Sequence, residues 1–158
     1  MAANGIPEGY HSINASLAVE DAQKAIDFYK QAFDAKERGI MRGPDGKIGH
    51  AELEIGDSVL MLADPNPMSH TKPPSEVGAC TGALMIYTGD VDAMFKKAIE
   101  SGATTISDPE DMFWGDRFGT LTDPFGHVWN IATRVEDVPP EEMEERAKQA
   151  MASMGAES

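Results

Sequence analysis

Residues 116–133, D-R-F-G-T-L-T-D-P-F-G-H-V-W-N-I-A-T, read as strand, tight turn, strand. Thr120, Leu121 and Thr122 favour extended structure. Asp123-Pro124-Phe125-Gly126 puts Pro second and Gly fourth, the pattern of a type I turn. From Val128 to Thr133 two sets of side chains alternate across a strand. Trp129, Ile131 and Thr133 form the bulkier set, with Trp129 as its core anchor. Val128, Asn130 and Ala132 form the other. Asn130 is a polar group in mid-strand on the less bulky face.

Upstream of this hairpin, Ala83 to Thr88 reads as a strand. Residues 91–101 read as a helix with Met94, Phe95, Ala98 and Ile99 apolar and Gly102 as its cap. Thr104 to Ser107 is a short strand, and Asp108 to Asp116 a loop. The order is β-α-β-β-β. It recurs in the first half of the chain. Tyr10 to Val19 alternates as a strand, and residues 21–33 follow helical spacing. Lys36 to Arg42, Ile48 to Ile55 and Ser58 to Ala63 are strands joined at Gly43-Pro44-Asp45-Gly46 and Gly56-Asp57. An offset of 69 superposes the halves: Asp21 on Asp90, Asn14 on Ala83, Met61 on Asn130. The expected organisation is a module over 10–63, a proline-rich linker over 64–82, a second module over 83–134 and a tail over 135–158. Pro139-Pro140 opens a helix in that tail. Its thin apolar stripe, Met143, Ala147, Ala150 and Met154, lies on its own domain or against a second subunit.

The 158 residues carry 27 acidic and 13 basic side chains, a formal charge of −14. That balance argues against nucleic acid or an anionic membrane as partner, since either needs a basic patch. It makes a soluble surface and would favour a cationic ligand. No apolar run approaches the roughly 20 residues that span a bilayer. The N-terminus lacks the basic and apolar regions of a secretory signal. Cys80 is the single cysteine, so no internal disulfide forms and a cytoplasmic setting is expected.

Three stretches, V-E-D-A-Q-K-A-I-D-F-Y-K-Q-A-F (19–33), G-K-I-G-H-A-E-L-E-I-G-D-S-V-L-M-L-A-D (46–64) and F-W-G-D-R-F-G-T-L-T-D-P-F-G-H-V-W-N-I-A-T (113–133), resemble the vicinal oxygen chelate superfamily. This is the group of glyoxalase I, bleomycin-resistance proteins and extradiol dioxygenases, and the closest likeness is to its PhnB-like branch. The resemblance implies an α+β fold: two tandem βαβββ modules forming a half-open sheet with a concave cleft, plus the C-terminal helix. It also implies a homodimer, in some members with sites shared between subunits. Metal-dependent members place His, Gln or Glu at four strand positions, where a divalent ion polarises substrate oxygens. By this resemblance those positions fall at Asn14, near Met61, near Ala83 and at Asn130. None is a carboxylate or imidazole, and Met and Ala cannot hold a hard divalent ion.

The histidines offer a fallback. His50 and Glu52 share a strand face and could converge with His11 or His127. Without a metal, Asn14, Asn130, Ser12 and Ser16 would give the cleft neutral hydrogen bonds, and Met61, Met85, Tyr87 and Val128 apolar walls. Trp114 is either a stacking lid or a loop anchor. Arg117 either pairs with Asp116 or recognises a carboxylate or phosphate. The expected ligand-binding set is Asn14, His50, Met61, Tyr87, Trp114, Arg117 and Asn130, with no catalytic residue, no metal and no cofactor. The expected function is metal-independent binding of a small organic ligand, of the bleomycin-resistance or PhnB-like type. The alternative is a glyoxalase-like lyase, isomerase or dioxygenase using Zn, Ni, Fe or Mn, with His50 and Glu52 as ligands.

Overall fold

The computed structural model describes residues 5–156. Its elements are β1 (Ala15–Ala18), α1 (Ala22–Phe33), β2 (Lys36–Arg42), β3 (Ile48–Ile55), β4 (Ser58–Ala63), a one-turn α2 (Pro74–Val77), β5 (Ala83–Tyr87), α3 (Val91–Glu100), β6 (Thr104–Asp111), β7 (Asp116–Thr122), β8 (Val128–Arg134) and α4 (Pro140–Ala156). Two four-stranded sheets result, ordered β1-β4-β3-β2 and β5-β8-β7-β6. In each, the first strand pairs in parallel with the last and the other pairings are antiparallel. Neither sheet closes on itself. The fold is α+β, with tandem modules and a C-terminal helix.

The repeat survives down to single hydrogen bonds. Asp21 caps α1 by accepting from Lys24 N, and Asp90 caps α3 by accepting from Ala93 N. Each satisfies a helix-start donor that would otherwise have no acceptor. Asp64 Oδ1 accepts from Ala22 N at 2.7 Å, and Thr133 Oγ1 from Val91 N at 2.8 Å. These pairs keep the offset read from the sequence (64 + 69 = 133, 22 + 69 = 91). The end of each module's last strand thus fixes the start of its helix.

One core serves both modules. Leu53, Leu60 and Leu62 of the first sheet and Leu121, Trp129 and Ile131 of the second share a single buried cluster with α1 and α3. Phe33 and Trp129 meet at 4.8 Å between ring centroids, and Tyr29 and Trp129 at 5.4 Å. A buried side chain of this size contributes roughly 2–3 kcal/mol. The two helices therefore lie between the sheets, and each sheet turns its other face away from the shared core.

Asp123 locks this arrangement. It is 4% exposed. It accepts from Tyr29 Oη at 2.5 Å, Trp129 Nε1 at 2.8 Å, Phe125 N at 2.9 Å and His127 N at 3.0 Å. The Asp-Pro-Phe-Gly turn forms as expected, with Gly126 N donating to Asp123 O at 3.1 Å. Gly126 has φ +88°, which favours glycine.

Two expectations change. The first strand begins at Ala15, not Tyr10, because Asn14 folds back: its amide accepts from His11 N and donates to His11 O. The strand expected to end at Ser107 runs on to Asp111. Pro109 is tolerated there because β6 is an edge strand and its register shifts on either side of Ser107.

Candidate functional site

The open face of the second module is set by strand alternation. Met85 lies opposite Asn130, and Asn130 opposite Thr120. The adjoining row is Tyr87, Ala132 and Phe118. Thr120 Oγ1 donates to Asn130 Oδ1 at 2.9 Å. The other end of that amide has no partner among the described residues, so it faces the open side with hydrogen-bonding capacity to spare.

Beside these rows sits a buried carboxylate. Asp116 is 1% exposed. Its Oδ2 accepts from Tyr87 Oη at 2.9 Å and Trp114 Nε1 at 3.0 Å. Arg134 Nε lies 3.1 Å from Oδ1. That oxygen receives no well-aligned hydrogen bond, so charge holds the contact. The Asp116 hydrogen bond, with burial behind it, raises the Tyr87 phenol above its ordinary pKa. Trp114 meets Phe113 and Phe118 edge-on at 5.1 and 5.7 Å. These contacts tie Trp114 into its loop.

The open face of the first module is polar. Ser16 lies opposite Met61, Met61 opposite Glu52, and Met41 opposite His50. His50 Nε2 is 3.0 Å from Glu52 Oε1, and Arg38 Nε is 3.7 Å from Glu52 Oε2. The Tyr10 phenol and then His50 hold the Glu52 carboxyl below its usual range, and Glu52 in turn raises Tyr10. Arg38 Nη2 donates to Glu8 O at 3.0 Å, and its guanidinium lies 5.4 Å from the Tyr10 ring centre. The chain's own N-terminal arm is therefore fastened to this face.

The seven expected residues do not converge. Trp114 and Asn130 belong to the second face, His50 and Met61 to the first. Tyr87 joins Trp114 and Asn130 on the second face and also reaches a cavity of about 820 Å³ between the modules, which Asn14 lines and Phe33, Leu60, Leu84, Ile86, Met94 and Trp129 wall. Arg117 stands on the helix side of β7. It does not pair with Asp116. It binds Asp92 through Nε at 2.7 Å and Nη2 at 2.9 Å, and Asp111 through Nη1 at 3.2 Å. The adjacent position is the wrong one in a strand, because neighbours point to opposite faces. Two residues missed in the sequence, Phe118 and Arg134, were open to the same rule: each lies an even number of positions from Asn130 or its partner Thr120.

The residues present do not fit a divalent metal. Met61 pairs with Ser16 in the first sheet and Asn130 with Met85 in the second, two residues further along β1 and β5 than Asn14 and Ala83. A hydroxyl, two thioethers and an amide are a poor donor set for a hard ion. His50 and Glu52 are joined by neither further histidine: His11 Nε2 bonds Asp57 O at 3.0 Å and His127 Nε2 bonds Ala18 O at 2.8 Å. Arg38, beside Glu52, opposes a second cation. No group of three or more His, Cys, Asp or Glu side chains among the described residues could hold a metal.

This paired-module architecture, with open sheet faces outside one helical core, has clear relatives. The family model of the Glyoxalase/Bleomycin resistance protein/Dioxygenase superfamily matches residues 11–131, and the chain belongs to that superfamily. It is 40% identical over 147 residues to the uncharacterized protein Mb0911c of Mycobacterium bovis, covering 91% of this chain and 94% of that one. The crystal structure of the At5g48480 product of Arabidopsis thaliana is 26% identical with a TM-score of 0.63, over 78% of this chain and 98% of that one. The PhnB protein of Bacillus cereus shares the fold at 21% identity and a TM-score of 0.57, over 78% and 99% of the two chains.

Proposed function

We propose that the protein binds a small organic ligand without a metal, as a homodimer in which the second-module face of one chain is closed by the first-module face of its partner. One observation carries this reading. The four positions implied by the superfamily resemblance, at Asn14, near Met61, near Ala83 and at Asn130, hold no carboxylate or imidazole, and Met61 and Asn130 lie on two different sheet faces that both turn away from the shared core. Each chain thus has two half-sites and no metal-ligand set. Exposed apolar side chains support it: Met41 on the first face is 67% exposed, and Met85 and Tyr87 on the second are 43% and 56%. Exposed apolar patches of this kind mark association or ligand surfaces. β1 and β5 are also edge strands, with one side unpaired in each sheet.

The ligand would lie on Met85 and Tyr87 and take a hydrogen bond from Asn130, as in apolar pockets with a few polar groups. No helix among the described residues is long and apolar enough to cross a membrane. Native mass spectrometry of protein purified without chelator, with elemental analysis, tests the reading. A dimer with substoichiometric metal is expected. Stoichiometric Zn, Ni, Fe or Mn that disappears in His50→Ala would overturn metal independence. A monomer at all concentrations would overturn the shared site.

A further inference from the structure

Arg134 ends β8 four residues beyond Asn130, on the same side of the strand. It is held by a buried carboxylate and two backbone carbonyls. Nε faces the buried Asp116 at 3.1 Å, and Nη1 donates to Trp114 O at 2.9 Å and Glu136 O at 3.4 Å. The loop beneath is equally fixed, since Gly115 O accepts from both Val135 N and Glu136 N. A Cβ at position 115 would lie 2.2 Å from Glu136 O, so the approach requires glycine. The Glu136 carboxylate, one candidate to neutralise Arg134, is taken by Arg146 through Nη1 at 2.8 Å and Nη2 at 2.7 Å. Nη2 of Arg134 makes none of these bonds, the Tyr87 hydroxyl adds a weaker hydrogen-bonding contact to the guanidinium, and the side chain is 46% exposed.

We infer that Arg134 receives a carboxylate on the ligand, so that the second-module face selects planar or amphipathic monoanions. This rests on that face being the ligand site. A guanidinium held at Nε and Nη1 loses little side-chain entropy when it binds, and its Nη2 N–H groups suit a carboxylate oxygen. A dianionic phosphate would meet twice the repulsion that a monoanion meets from a chain of net charge −14. The Tyr87 ring and the Met85 thioether offer the apolar floor beside it.

The experiment is a titration of the full-length protein with 2-naphthoate and with its neutral counterpart 2-naphthamide. It is followed by nitrogen–proton NMR that includes the arginine Nε–H signals and the Asn130 side-chain amide. Naphthoate is expected to bind roughly tenfold or more tightly than naphthamide, to shift Arg134 Nε and Asn130, and to lose that preference in Arg134→Gln. Arg134→Lys should retain part of it. Equal binding of the two probes at these signals would overturn the carboxylate preference and leave the face as a ligand site. Shifts from neither probe at these residues would overturn the ligand site and the preference together. The probe pair decides the matter on the wild-type protein even if Arg134→Gln fails to fold.

Discussion

Two buried aspartates use the same chemistry to opposite ends. Asp123 accepts one tyrosine hydroxyl and one indole N–H, from Tyr29 and Trp129. Asp116 also accepts one of each, from Tyr87 and Trp114. The difference lies in what completes the set. Asp123 takes two backbone N–H groups of its own turn and lies in the core between the modules. Asp116 takes a guanidinium and lies on an open face. A carboxylate satisfied by neutral fixed donors stabilises a fold. One that holds a half-exposed cation mainly fixes the direction of that cation, since buried ion pairs add little net stability. The first is a structural lock and the second a support for a binding group.

The largest test of that contrast is Asp123→Ala. It leaves four donors without this acceptor, two of them buried and two part-buried, each worth about 1–3 kcal/mol and not additive. A loss of about 3–5 kcal/mol is expected in urea unfolding. Asp116→Asn should cost less, about 1–3 kcal/mol, because Arg134 can turn to water. It should also free the Arg134 Nε–H signal to exchange faster in NMR. If Asp116→Asn is the more damaging of the two, the division between lock and support is wrong.

Much of this contrast was legible in the sequence. The D-P-F-G turn, the strand after it and Trp129 as a core residue follow from alternation and turn chemistry. The 69-residue repeat follows from pattern alone, and it holds in the caps at Asp21 and Asp90. What was not legible depends on contacts distant in sequence. Nothing local says that Asp123 reaches Tyr29, 94 positions away. Nor does local sequence say that residues 8–10 bind Arg38 and Glu52, which turns a candidate metal pair into a surface network. Asn14 shows a third limit. Its alternation suited a strand, but a short amide that can bond its own backbone competes with strand formation.

Removing the tyrosine hydroxyls alone gives two milder and matched tests. Tyr29→Phe takes one hydrogen bond from Asp123 and should cost about 1–2 kcal/mol at pH 8. Its pH dependence is the sharper readout. Burial first, then the Asp123 charge and hydrogen bond, holds the Tyr29 phenol well above its ordinary value of 10.0. Below pH 10 both folded and unfolded forms keep the proton, and the tyrosine adds no slope. Above it the unfolded chain releases the proton while the folded one retains it, so stability falls as pH rises. Tyr29→Phe removes that contribution, and its urea midpoint should fall less steeply than the wild type's above pH 10.

Tyr87→Phe is the smallest expected effect. The Tyr87 side chain is more than half exposed, and Asp116 keeps Trp114 and Arg134 when the hydroxyl goes. A loss below about 1 kcal/mol follows. The direction of its alkaline contribution is the same as for Tyr29, since Asp116 raises the phenol, but water screens most of it. Each substitution removes one hydroxyl from a buried carboxylate, so their ratio reports both the burial of the tyrosine and the other donors that each carboxylate keeps. A Tyr87→Phe loss as large as that of Tyr29→Phe would mean that the second-module face is already covered in solution. If a partner chain supplies the cover, that result should fade on dilution.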